Sequence, residues 1–441
     1  MNDTALTLAA TFDRQLFWQL GGSVRYLVAR LKAERREKPG LATRAPLNIA
    51  LVIDASGSMR GLKLNAAKEA ALGLVERLTA DDHLTVVSFA SEVEVHLDAV
   101  RVTPENLAWI RAEIRDLRTR GQTCLSEGWF AGIECAARAA AERPELTPRV
   151  ILITDGHANM GITHHDELFQ HAGQLRLRGV LTSTLGIGDD YDEQLLRGMA
   201  EHGGGRLHDA ELVDEIGSVL HGELEDILLT LVEQTKVVLT AGQGVLVEVL
   251  GSATSHTKAD QTSVLIGSVQ EGIERVVVFK VTCPEVGSVG ETLDFAVTAS
   301  GHVAEDPHCH VAAGPVLLTL TSADGVENSN QLRNPATAGT AAKIWGAHMV
   351  AEAAMRNRSG AFGEAQAYLE AELRYFRRYA DGLEGAEGLR QELEKLVHRI
   401  GRPTSSRSTK EMYLQSKHVT ESRTDRRGLK RRWAERLDDD R

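Results

Sequence analysis

Asp54, Ser56 and Ser58 form the segment Asp54-Ala55-Ser56-Gly57-Ser58, directly after the apolar run Leu47–Ile53, which only Asn48 interrupts. A buried strand that ends in one carboxylate and two hydroxyls offers a hard cation three oxygen ligands from a single turn. A second apolar run, residues 150–154, ends in the same way at Asp155 and Gly156. Between the two runs, Gly121-Gln122-Thr123 opens a helical pattern and brings a further hydroxyl. Parallel sheets gather their ligands at the carboxyl edge of the strands, so Asp54, Ser56, Ser58, Thr123 and Asp155 are expected to converge there. Two carboxylates only just balance a divalent ion, and neutral hydroxyls leave it electrophilic, with a position open to an incoming Asp or Glu. Mg²⁺ suits such a set because it prefers octahedral oxygen at ~2.1 Å and keeps exchangeable waters; Mn²⁺ is second, with Ca²⁺ as a further candidate. Gly57 is expected to allow the tight turn that aims both serines inward, and a helix beginning near Gly61 would turn its positive end toward an anion.

These side chains need alternating strands and helices to hold them. Ala67, Ala71, Leu74 and Leu78 mark one helical face over residues 62–78, and His83–Phe89 returns as a strand. Residues 94–97 predict a short antiparallel edge; residues 106–117, 125–141 and 167–178 predict helices; Leu181–Ile187 predicts a strand. Such alternation specifies an α/β fold with a doubly wound, Rossmann-like sheet over residues 46–231.

At this point the chain resembles the von Willebrand factor type A (VWA) domains. Their metal-ion-dependent adhesion site (MIDAS) is written Asp-x-Ser-x-Ser, then a Thr, then an Asp. Asp54, Ser56, Ser58, Thr123 and Asp155 match that pattern without a gap. The resemblance is specific over roughly residues 46–230 and implies capture of an acidic residue of a partner protein through the bound ion. More loosely, the whole layout is similar to intracellular bacterial multidomain members rather than to integrins or inter-alpha-trypsin inhibitor heavy chains. A role among relatives as the regulatory subunit of an AAA+ ATPase complex supplies an alternative.

Around this domain the pattern changes. Residues 1–45 hold two expected strands, at 5–11 and 23–31, followed by a basic linker, 32–39. Residues 232–322 show six short β-branched runs broken by Gly and polar turns, the mark of an all-β sandwich, which the amino-terminal strands are expected to join. Residues 335–400 read as a helical bundle. Residues 401–441, poor in apolar side chains, read as a flexible charged tail; from Arg402 onward its twelve Lys and Arg against seven Asp and Glu give a net +5.

The formal charge of −12 argues against general nucleic-acid binding. No apolar stretch approaches the ~20 residues of a membrane span, and the amino terminus has no secretory pattern. Cys124, Cys135, Cys283 and Cys309 show no CxxC pairing, so a reducing cytoplasm is expected. A metal-dependent hydrolase is the remaining alternative; its general base would come from His157, His164, His165 or Asp189. His164 and His165 are more simply helix-opening residues, and Asp189-Asp190-Tyr191-Asp192 supplies a helix cap. Ser56 lacks the GxSxG setting of a hydrolase nucleophile, so no catalytic residue is assigned. His308-Cys309-His310 would alternate along a strand and not converge on a metal.

Overall fold

The computed structural model describes residues 4–35, 45–251, 253–304 and 306–420. The chain divides into two compact units, one formed by residues 1–36, 232–302 and 310–441, the other by residues 37–231 and 303–309. The chain opens with β1 (Thr4–Phe12), β2 (Leu16–Trp18) and β3 (Val24–Arg35). The segment expected as a linker from residue 32 thus begins as strand: Lys32 and Glu34 alternate with buried or part-buried neighbours, and the charged ends project outward. Residues 36–44 lie outside the described residues.

The second unit follows as β4 (Leu47–Asp54), α1 (Leu62–Val75), β5 (His83–Phe89), β6 (Val93–Arg101), α2 (Leu107–Asp116), α3 (Leu125–Glu142), β7 (Thr147–Thr154), α4 (His165–Leu177), β8 (Leu181–Ile187), α5 (Glu193–His202), β9 (Gly204–Ala210) and α6 (Glu215–Leu228). Its sheet has the order β6-β5-β4-β7-β8-β9, parallel throughout except for the edge strand β6. Every residue of β4, β5 and β8 is buried, as strands covered on both faces are, so none of them shows an apolar–polar alternation; β4 is nearly all apolar, whereas β8 buries Thr182, Ser183 and Thr184. This is the Rossmann-like α/β fold.

One face packs on α1, α2 and α6 through Leu64, Ala71, Ile110, Ile114, Ile216 and Leu220. The opposite face carries α3 at close range. A methyl at Gly128 would stand 2.4 Å from Phe89 Cβ, and one at Gly132 would stand 2.3 Å from Val52 Cγ2. The helix that follows Thr123 is therefore pressed onto β4 and β5, which fixes where its first turn sits.

At the other edge, β8, β9 and α6 are tied by charge. Buried Glu223 accepts from Ser183 Oγ (2.5 Å), and its second oxygen lies 2.6 Å from His208 Nε2. Burial alone would raise this carboxyl, but His208, Arg206 and the Ser183 hydroxyl together hold it down at about 2, from an ordinary 4.5. A depressed carboxyl stabilises the fold above its unfolded value and loses that contribution as pH falls from about 4.5 toward 2. Glu223→Gln is therefore expected to cost on the order of 3 kcal/mol at neutral pH, at most. In urea melts the gap from wild type should close as pH drops below 4.5. A gap that stayed constant from pH 7 to pH 3 would show that the network gives no charge stabilisation.

The chain then returns to the first unit as β10 (Thr230–Ala241), β11 (Leu246–Leu250), β12 (Thr254–Lys258), β13 (Gln261–Gln270), β14 (Arg275–Thr282), β15 (Thr292–Val303) and β16 (Asp306–Ala323). The helices α7 (Gly325–Asn330), α8 (Pro335–Arg358), α9 (Phe362–Ala380), α10 (Ala386–Ile400) and α11 (Ser406–Thr420) complete it. Its strands form two sheets, β1-β3-β14-β11 and β12-β13-β10-β15-β16-β2. β3 pairs antiparallel with both β1 and β14, so strands from before residue 36 and after residue 245 share one sheet, and Phe12 meets Phe295 of the other sheet at 5.0 Å.

Two features depart from the sequence reading. The core of the bundle over residues 335–400 is continuous with a sheet: Tyr26, Val28, Leu250 and Val278 of the sheet share one cluster with Trp345, Met349, Phe376 and Leu396 of the helices. The segment expected as a flexible tail from 401 instead continues into α11, which packs on α8 and buries Met412, Tyr413 and Leu414. The physical reason is that α11 packs along α8 and places Met412 in the core cluster that the helices share with the sheet, so a short apolar set suffices to seat it. Averaging composition over the whole tail hid that set. Residues 421–441, with Trp433, lie outside the described residues.

Candidate metal centre

β4 lies between β5 and β7; the chain leaves β4 toward β5 and leaves β7 the opposite way, toward β8, so the crevice at the carboxyl ends of β4 and β7 is the topological switch point of the sheet. Asp54 is the last residue of β4, and Asp155 follows the last residue of β7. Asp54 Oδ1 accepts from the Ser56 N–H (2.8 Å), which curls the chain back over the strand end. Ser56 Oγ lies 3.0 Å from Ser58 Oγ, and Ser58 Oγ donates to Asp155 Oδ1 at 2.7 Å. One continuous row of oxygens thus joins Asp54, Ser56, Ser58 and Asp155. Asp54, Ser56 and Asp155 are buried, whereas Ser58 is exposed and marks the side open to solvent.

The Thr123 loop is fastened to the same turn by the backbone. Gly57 N–H donates to Gly121 O (3.1 Å), Arg120 N–H to Ala55 O (2.6 Å) and Cys124 N–H to Ala90 O (2.9 Å). Asn159 Oδ1 accepts from Thr123 N–H (2.9 Å), and Thr123 O accepts from the N–H groups of Asn159 and Met160. Thr123 is buried. The expected role of Gly57 needs correction: the left-handed residues here are Gly61 and Gly121, with φ of +83° and +40°, and a methyl at Gly57 would meet only an ordinary contact, 3.7 Å from Gly121 O. Gly57 contributes its N–H, not an unusual backbone conformation.

Three further residues of this site carried no sequence signal. Thr154 Oγ1 donates to Asp54 Oδ2 at 2.5 Å, orienting the carboxylate from the neighbouring strand. Lys63, in the first turn of α1, places Nζ 2.5 Å from Asp155 Oδ2. Arg120 reaches Glu94 and donates to Ser88 Oγ (2.7 Å), which pins the loop that carries Thr123. Burial pushes the Asp54 carboxyl up; hydrogen bonds from Thr154 and Ser56 oppose this, and the nearby Asp155 charge adds to it. An all-oxygen donor set whose two carboxylates repel one another fits a hard divalent cation.

The candidate bases lie to one side. His157 is 66% exposed and has Nδ1 3.6 Å from Asp192 Oδ2, to which His165 Nε2 also comes within 3.0 Å. Asp192 caps α5 by accepting from Leu195 N–H, and His164 makes no side-chain cap. Ser88 and His96 form a second hydroxyl–imidazole pair at 2.8 Å, but Ser88 is 1% exposed and Arg120 already donates to its oxygen, so the pair is a brace beneath the loop. His310 lies beside His302, with ring centroids 4.1 Å apart. Among the described residues no group of three or more His, Cys, Asp or Glu is placed to hold a metal ion, so the hydroxyls of Ser56, Ser58 and Thr123 are indispensable to any metal reading.

Residues 48–220 match the family model of the von Willebrand factor type A domain, and the chain therefore carries such a domain. It is 34% identical over 164 residues to an uncharacterised protein of Synechocystis sp., covering 37% of this chain and 37% of that protein. It is also 34% identical over 161 residues to inter-alpha-trypsin inhibitor heavy chain H3 of Homo sapiens, covering 35% of this chain and 18% of that one. The chain thus spans well under half of the length of these relatives. In structure it is similar to a von Willebrand factor type A protein from Catenulispora acidiphila (TM-score 0.67, 17% identity, 94% of this chain and 97% of that one). It is likewise similar to the ArnB paralog VWA2 from Sulfolobus acidocaldarius (TM-score 0.58, 15% identity, 94% and 99%). At these identities the structural likeness establishes the fold, and it extends over both units.

Proposed function

We propose that the protein is a non-enzymatic binding module that captures an acidic residue of a partner protein through a divalent cation, Mg²⁺ before Mn²⁺ or Ca²⁺, held by Asp54, Ser56, Ser58, Thr123 and Asp155. The observation that carries this reading is the row of oxygens from Asp54 to Asp155 at the switch point of the sheet, open to solvent at Ser58. Type A domains generally serve protein interaction and typically hold a divalent ion at this place, which supports the same reading. When bound, the ion supplies an electrophilic position for a carboxylate oxygen. The protein's own part is to orient Asp54 through Thr154 and Ser56, to set the Thr123 loop through Gly57 and Arg120, and to leave Ser58 accessible. The sandwich and its helices serve as scaffold. We place the protein in the cytoplasm: all four cysteines are free thiols and three are buried, and among the described residues no helix is long and apolar enough to cross a membrane.

The test is affinity purification of the full chain in Mg²⁺ and, in parallel, in chelator, with Asp54→Asn as control. A partner retained in Mg²⁺ and lost in both other arms is the expected result. An AAA+ ATPase in that fraction would identify the docking target. Identical recovery in all three arms would sink metal-dependent recognition.

A further inference from the structure

Lys63 stands where a binding site for a cation has no evident use for a second cation. Its Nζ lies 2.5 Å from Asp155 Oδ2, while Asp155 Oδ1 accepts from Ser58. The Asp155 side chain is fully buried (0% exposed), whereas that of Lys63 is 33% exposed, so the ammonium is anchored at the site and still faces solvent. Asp54 and Asp155 carry two negative charges and Lys63 one positive. Without an ion the cluster is therefore −1, and a divalent ion takes it to +1. The missing quantity is one negative charge, that of a single carboxylate.

Resting on the metal reading above, we propose that Lys63 is the specificity-determining residue of this site: it opposes the bare ion and receives the second oxygen of the carboxylate that completes the charge. A lysine suits both tasks, since its flexible four-carbon stem lets a compact charge follow whichever anion is strongest. While the ion is alone, Lys63 and the ion compete for Asp155, and metal affinity is held down. When a carboxylate arrives, its charge offsets both cations, so each anion bound strengthens retention of the metal. Linkage makes the effect reciprocal, and couplings of this kind typically reach ~5–150-fold. The site thus favours ion and acidic ligand together over the ion alone. A lysine serving only to neutralise Asp155 would add nothing to the coupling that the direct ion–carboxylate contact provides.

The experiment titrates Mn²⁺ into full-length wild type, Lys63→Met and Lys63→Arg by calorimetry, first in chloride buffer and then with saturating sodium acetate as the carboxylate probe. Circular dichroism melts establish that each variant is folded. In chloride, Lys63→Met is expected to bind Mn²⁺ about 10-fold more tightly than wild type, because the competing charge is gone. Acetate should raise the Mn²⁺ affinity of wild type and Lys63→Arg at least ~5-fold and that of Lys63→Met clearly less, since only the direct ion–carboxylate contact remains there. Equal Mn²⁺ affinity and equal acetate response in wild type and Lys63→Met would overturn the role of Lys63 while leaving the metal reading intact. Weaker Mn²⁺ binding by Lys63→Met would also overturn it, since the lysine would then be organising the site. No Mn²⁺ binding by folded wild type would remove the metal reading and the role of Lys63 with it.

Discussion

Asp54→Asn is expected to abolish divalent-ion binding while leaving the metal-free protein at least as stable as wild type. The two halves have separate causes. Asp54 supplies one of the two carboxylate charges at the centre, so its loss should weaken Mg²⁺ or Mn²⁺ by more than ~100-fold, about 2.7 kcal/mol, at the upper end of what losing a mere outer-shell partner costs. In the metal-free protein, burial raises the Asp54 carboxyl and the Asp155 charge raises it further. A charge there is unfavourable, and a neutral amide of the same shape relieves it. The amide oxygen can still accept from Ser56 N–H or Thr154 Oγ1, so the turn keeps an anchor. In thermal melts, saturating Mg²⁺ should raise the Tm of wild type, as a ligand at ~100-fold its Kd adds about 2.7 kcal/mol, and should leave the variant unmoved. Unchanged Mg²⁺ affinity in a folded Asp54→Asn protein would refute the assignment of the centre.

The second large effect concerns the carboxyl-terminal helix. Ending the chain after Pro403 removes α11, which packs on α8 and buries Met412, Tyr413 and Leu414. Met412 alone, with no exposed surface and a place in the shared core of sheet and helices, is worth ~2–5 kcal/mol by truncation to alanine. The whole helix is worth more, a large fraction of the ~5–15 kcal/mol that holds a domain folded. Asn357 adds a fastening point: it donates to the carbonyls of Ile400 and Arg402 and accepts from Thr404 Oγ1 at 2.7 Å. Size-exclusion chromatography and melting of two truncations separate the possibilities. Removal of residues 404–441 should give an aggregating or strongly destabilised protein, with a much lower melting temperature than removal of residues 421–441, which keeps α11. Equal melting temperatures for the two would show that α11 is dispensable.

What was legible in the chain by itself is the strand-end placement of Asp54 and Asp155 and the strands that carry them. β4 and β7 were legible because strands covered on both faces tend to be long apolar runs, β5 and β8 because they alternate with helical patterns, and Asp54 and Asp155 because a carboxylate directly after such a run stands at the strand end. Elements without that contrast were not. β12 is exposed at every position and has no apolar period, and β9 begins in a glycine run that reads as turn. Only the tertiary structure decided who neighbours whom at the centre: Thr154 on Asp54, Gly57 on Gly121 and Lys63 on Asp155. The same holds for α11, whose short apolar set acquires meaning from its packing on α8. The reason is physical. Burial on both faces writes itself into every residue of a strand, whereas a hydrogen bond or ion pair between distant segments requires only one suitable side chain on each, a requirement that most polar residues meet and that folding alone selects.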